Sequence, residues 1–208
     1  MSGPVITLEQ AATFSRCMSV GGIAVFPADT VYGLACEPAS RDAVERLYAL
    51  KGRTPDKPTA VMFFSVGLAL TALPELGPRT HAAIAALLPG ALTLLLPNPA
   101  QRFPLACGPD GGTLGLRVPA LPASLEALTG VRWPILQTSA NRAGEPDACR
   151  LADVPAQIRE GADLVIDGGE LPGIASTVLD LRDYELDGAW AVRRAGALSE
   201  GEITARLG

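Results

Sequence analysis

The chain has 208 residues, enough to bury a core as one large domain or two small ones, and 48% hydrophobic against 19% charged residues excludes a disordered chain. With 17 basic and 22 acidic side chains its net charge is −5, and aromatics are only 5%, which argues against a nucleic-acid-coating protein or a serial base-stacking platform. The single histidine, His81, excludes a histidine-rich metal site, and four cysteines without C-x-x-C spacing read as buried thiols of a reducing compartment.

The start has no basic n-region and carries Glu9 where an apolar export segment would run, so a cytoplasmic protein is expected. Thr7 with Gln10 makes a capping-box pattern opening a helix toward Val20. Residues 21–27 read as a buried strand and 31–36 as a second, after a turn at Pro27-Ala28-Asp29-Thr30. Ser40 caps a helix with the apolar stripe Val44, Leu47 and Tyr48, which runs into the loop 51–58. A strand at 59–64 follows. Thr80 is the expected N-cap of a helix near 80–88, with His81 in a structural first-turn role. The apolar stretch 82–97 is broken by Pro89, Gly90 and Thr93 and is too short to span a bilayer, so it reads as helix, turn and strand. Further strands are expected at 113–119, 134–139, 163–168, 176–182 and 189–194. Further helices are expected near 122–129, 153–160 and 199–207, the last opened by Ser199 and Glu202. This irregular mixture predicts an α/β fold, a twisted mixed sheet with flanking helices. Neither G-x-G-x-x-G nor G-x-x-x-x-G-K-[ST] occurs, which argues against Rossmann and Walker nucleotide sites.

Four segments could carry chemistry. The loop 51–58 places Lys51, Arg53 and Lys57 within seven positions. In an extended chain Lys51 and Arg53 would share a face, with Gly52 admitting a ligand to the backbone and Pro55 and Pro58 stiffening the loop. Crowded cations suit a phosphate, and they equally suit a solvated loop. In the strand 113–119, Thr113, Gly115 and Arg117 share one face; Arg117 either points to solvent or grips a carboxylate across a cleft floor that Gly115 leaves open. Gln137, Ser139 and Asn141 repeat the pattern at a strand end, as a ligand contact or a polar turn, and no base accompanies Ser139 to make it a nucleophile. The glycines before Ser176-Thr177 offer backbone N–H groups to an anion or simply turn the chain, and of Arg193 and Arg194 one should face inward.

In order and spacing, FPADTVYGLAC, LYALKGRTPDKP, LLPGALTLLL, GTLGLRVP, QTSANRAG, GIASTVLD and VRRAGAL resemble the YrdC-like family of threonylcarbamoyl-AMP synthases, from about residue 20 to 200. The resemblance implies a single YrdC-like domain over residues 1–208, folded around a large basic cavity. It implies that ATP, L-threonine and bicarbonate become threonylcarbamoyl-AMP and pyrophosphate, with Mg2+ bound alongside ATP. The product would pass to a tRNA threonylcarbamoyl transferase complex for t6A37 modification, with tRNA binding by this chain at most weak and no membrane partner. It places a catalytic tetrad on Lys51, Arg53, Ser139 and Asn141. It places ATP contacts on Arg53, Lys57, Thr113, Ser139, Asp147 and Arg194, and threonine contacts on Thr30, Met62, Arg117, Gln137 and Ser176, with no protein metal ligands. Ala28, Met62, Asp147 and Ala195 depart from the threonine, histidine, hydroxyl residue and proline usual in the family. A YrdC-like RNA-binding or accessory hydrolase protein and a carbamoyl-adenylate-forming domain of hydrogenase maturation are the alternatives.

Overall fold

The computed structural model describes residues 4–54, 56–109 and 111–208; Pro55, expected to stiffen the cationic loop, lies outside them. Helix α1 (Leu8–Ser19) begins at the expected capping box, in which Thr7 and Gln10 satisfy each other's backbone N–H groups. Strands β1 (Ala24–Pro27) and β2 (Tyr32–Cys36) pair antiparallel around the 27–30 turn. Helix α2 (Arg41–Lys51) starts at Ser40 and buries Val44, Leu47 and Tyr48 as the apolar stripe requires. Then come β3 (Ala60–Met62), α3 (Val66–Ala72), α4 (Pro78–Leu87) and β4 (Leu92–Pro97). They are followed by α5 (Pro104–Cys107), β5 (Thr113–Arg117) and β6 (Ile135–Ser139). The chain closes with α6 (Ala156–Gly161), β7 (Leu164–Val165), β8 (Thr177–Asp180), α7 (Tyr184–Asp187), β9 (Ala191–Arg194) and α8 (Glu200–Leu207).

Among the described residues the nine strands form one mixed sheet in the order β7-β1-β2-β6-β3-β5-β4-β8-β9. The β1–β7, β3–β5 and β4–β8 pairs are parallel and the others antiparallel. Phe14 of α1, Phe26 of β1 and Phe64 pack with centroids 5.1–6.5 Å apart, Phe64 edge to face against the other two and Phe14 tilted on Phe26, tying α1 to the sheet. At the centre, Ala60 of β3 lies beside both Gly115 of β5 and Gln137 of β6. Small residues here keep the sheet face low, and the cavity described below opens over them.

The structure departs from the sequence reading in several places. Thr80 is not the cap of α4: the helix starts after Gly77, and Thr80 is buried in its first turn. The carboxylate of Glu185 accepts from the Thr80 backbone N–H at 2.8 Å and its hydroxyl at 2.9 Å, so a distant residue supplies the cap. His81 does take its structural role, with Nε2 3.0 Å from the Leu73 carbonyl. Helices α3, α5 and α7 were not expected; α3 buries only Ala69 and has no side-chain cap, so its pattern is faint. The expected helix near 122–129 is a 3₁₀ helix over Ala123–Gly130, and the expected 163–168 strand shrinks to the two residues of β7.

Candidate active site

A cavity of about 630 Å³ lies over the centre of the sheet. Among the described residues its wall carries five cations, Lys51, Arg53, Lys57, Arg117 and Arg194, and one carboxylate, Asp147. Thr30, Thr113, Gln137, Ser139, Asn141 and Ser176 also face it. The sequence-derived residues therefore converge on one space, with one exception. Met62 is absent from the wall. It lies beside Arg117 in the β3–β5 register but is fully buried in the hydrophobic core.

The expectation that Lys51 and Arg53 share a face of an extended chain is corrected. Lys51 is the last residue of α2, and Gly52 ends the helix at φ 61°, where the left-handed backbone favours glycine. Gly52 N–H bonds Ala49 O and Arg53 N–H bonds Tyr48 O, so this glycine serves the helix end. Lys51 turns inward and is buried. Its ammonium donates to Ser139 O at 2.6 Å, Asn141 O at 2.9 Å and Asn141 Oδ1 at 2.6 Å, with Ser139 Oγ 3.4 Å away. All three N–H groups are thereby engaged. Ser139 Oγ donates to Asn141 Oδ1 at 2.7 Å, and Ala143 N–H bonds Lys51 O. Lys51 thus clamps the turn after β6. Burial, reinforced by Arg53, pushes its pKa down to about 8, while Asp147 pulls the other way.

Arg53 is held by carbonyls: Nη2 donates to Pro58 O at 2.6 Å and Nε to Lys57 O at 3.4 Å. Arg194 reaches across from β9, its Nη2 donating to Ser176 O at 2.7 Å. A Cβ on Gly196 would run into the backbone of Ala175 and Ser176, so a glycine there lets the two segments meet. Among the described residues neither Arg53, Lys57 nor Arg194 forms an ion pair. Arg193 points the other way, to Asp180 at 2.8 Å.

Arg117 is built differently. It is 4% exposed, and Nη2 donates to Asp29 Oδ1 at 2.7 Å and Nη1 to Gln137 Oε1 at 3.0 Å. Thr30 Oγ1 is 3.4 Å from Nη2, and Nε is buried without a partner. Burial lowers the Arg117 pKa, Asp29 opposes that, and the nearby Arg194 adds to it. In the sequence Asp29 stands out only as a turn residue. Thr93, which hydrogen-bonds Ser176 at 2.9 Å, and Cys107 also lie on the cavity wall without being expected there. Alternating side chains along β4 could have indicated Thr93. Nothing local marks Asp29, whose partner is 88 positions away.

Such a wall suits polyanions and a carboxylate. Among the described residues no three His, Cys, Asp or Glu side chains gather as a metal cage. One carboxylate, Asp147, on the same wall as several hydroxyls fits a magnesium ion held mainly by a ligand's own phosphate oxygens. A Ser–Lys nucleophile pair does not fit, because the Ser139 hydroxyl donates to Asn141 and the Lys51 ammonium is saturated. No helix of the described residues is long and apolar enough to cross a membrane.

A Sua5/YciO/YrdC family model, described as "Telomere recombination", matches residues 16–196. The threonylcarbamoyl-AMP synthase of Chromohalobacter salexigens is 33% identical over 181 residues, covering 86% of this chain and 96% of that protein. That of Stenotrophomonas maltophilia is 32% identical over 177 residues, covering 82% and 90%. The crystal structure of P. abyssi Sua5 complexed with L-threonine superposes with a TM-score of 0.80 at 27% identity, covering 98% of this chain and 58% of that longer one. Escherichia coli YciO shares the fold with a TM-score of 0.80 at 22% identity, covering 98% and 97%.

Proposed function

The chain belongs to the Sua5/YciO/YrdC family, and from that premise we propose that it is an L-threonylcarbamoyladenylate synthase acting in the cytoplasm. In this reading it is a nucleotidyltransferase that converts ATP, L-threonine and bicarbonate to threonylcarbamoyl-AMP and pyrophosphate. The observation that carries it is one cavity combining unpaired cations for phosphates with a buried arginine for a carboxylate.

The threonine amine attacks the carbon of bicarbonate; water leaves, and a carbamate forms. A carbamate oxygen then attacks the α-phosphorus of ATP, and pyrophosphate departs. Neither step needs a protein nucleophile; the demands are proximity and preorganised positive charge. Arg117 holds the threonine carboxylate, while Thr30, Gln137 and Ser176 offer polar partners to the rest of the amino acid. Arg53, Lys57, Thr113 and Arg194 meet the phosphates, with Arg53 taking up charge as pyrophosphate leaves. Ser139 and Asn141 orient ATP, and Lys51 is the positioning residue that locks them. Asp147 is the residue that would reach a magnesium ion carried in with ATP, and such an ion would supply further neutralisation of the phosphate charge. The product goes on to a tRNA threonylcarbamoyl transferase complex for t6A37 formation; a net charge of −5 supports at most weak contact with tRNA.

The test is incubation with ATP, magnesium and labelled bicarbonate, with and without L-threonine. Threonine-dependent pyrophosphate release with label in a new adenylate is expected. Pyrophosphate release indifferent to threonine, or no labelled adenylate, would overturn the reading.

A further inference from the structure

Resting on the synthase reading, we infer that Asp29 is a positioning residue for threonine, setting which edge of Arg117 meets the substrate carboxylate. Asp29 sits in the turn between β1 and β2, and its side chain is 4% exposed. Oδ1 accepts from Arg117 Nη2 at 2.7 Å, and Oδ2 accepts from the backbone N–H of Ala120 at 3.2 Å. The carboxylate therefore fastens the β1–β2 turn to two points beyond and at the end of β5. Gln137, from β6, holds Nη1 from another direction. Two elements fix the guanidinium plane, and Nε remains buried with no protein partner.

The electrostatics follow from this geometry. A buried guanidinium without a counter-ion is costly, and Arg194 nearby makes it costlier. Asp29 neutralises Arg117 through Nη2 and Gln137 takes one N–H of Nη1, which leaves Nε–H and the second Nη1 N–H without a protein partner among the described residues. It also repels a second carboxylate from its own edge of the guanidinium. A substrate carboxylate is thereby directed away from the Asp29 side of the guanidinium. The pair is neutral as a whole, which matches a zwitterionic amino acid better than a simple anion. Asp29 is absent from the cavity wall, so it acts on threonine through Arg117.

The experiment measures calorimetric binding of L-threonine and of threoninamide, which lacks the carboxylate, to the full chain and to Asp29→Asn. The amide of Asn can still accept from Arg117 but carries no charge. Threonine affinity is expected to fall about tenfold. Threoninamide and ATP affinities should be unchanged, so the preference for the free carboxylate shrinks by the same factor. If Asp29→Asn is too unstable to assay, Arg117→Gln is compared with Arg117→Gln/Asp29→Asn, which removes both buried charges. The second change should then add no loss of threonine affinity. An unaltered preference in Asp29→Asn, or a further loss in the double variant, would overturn the assignment of Asp29 while leaving the synthase reading intact. A wild-type chain that binds no threonine would overturn both.

Discussion

Two regions of the cavity hold positive charge differently. Arg117 is buried, ion-paired with Asp29 and hydrogen-bonded to Gln137. Arg53 and Lys57 lie on a more open loop, and among the described residues the hydrogen bonds that steady Arg53 go to backbone carbonyls. The first arrangement is rigid and sacrifices net charge for orientation. The second keeps more of its charge available, because among the described residues neither cation is tied up in an ion pair. A single carboxylate of fixed shape calls for the first; a triphosphate whose charge moves as pyrophosphate leaves calls for the second.

The largest expected effect concerns discrimination. If the buried region recognises the threonine hydroxyl through its polar groups, valine leaves them unpaired, and kcat/KM for valine should be lower on the order of 10⁴-fold. Competition assays with both amino acids check this; equal turnover would break the contrast between a precise region and an open one. Next comes stability. Arg117→Ala strands the Asp29 carboxylate and should cost about 3–5 kcal/mol in denaturant unfolding. Arg53→Ala, which removes no ion pair, should stay within about 0.5 kcal/mol of wild type.

The smallest effect sharpens the role of Lys51, which belongs to neither group. Folding lowers its pKa from 10.5 to about 8, so between those values the folded chain binds fewer protons than the unfolded one. Stability contributed by this group must therefore rise with pH across that window. Measured against Lys51→Met, which cannot titrate, the wild-type melting temperature should gain from about pH 8 to about pH 10. A difference independent of pH would show that the ammonium is not held as described.

Much of this was legible in the sequence, for physical reasons that differ by element. The Thr7–Gln10 and Ser199–Glu202 boxes are local, so both helix starts appear where the residues put them. Period-two alternation on 113–119 correctly turned Thr113, Gly115 and Arg117 toward one space. Long-range pairings were not legible. Glu185 capping α4 and Asp29 neutralising Arg117 each join residues far apart in sequence, and neither carries a periodic signature. Lys51 and Arg53 were misread as extended because Gly52 looked like a ligand-facing glycine when it ends a helix. Met62 was placed on the wall by resemblance, and its burial came from packing that no single strand reveals.

The most direct test of the division between the two kinds of cation is steady-state kinetics on Arg53→Ala and Arg117→Ala, at a temperature where melts show both folded. Contacts that strengthen in the transition state govern turnover, and uniform contacts govern apparent affinity. Arg53→Ala should lower kcat roughly ten- to a hundredfold at saturating ATP and threonine. Arg117→Ala should raise the KM for threonine by a similar factor and leave that for ATP little changed. An Arg117→Ala enzyme with weakened ATP and unchanged threonine dependence would contradict the division and exchange the two substrates within the cavity.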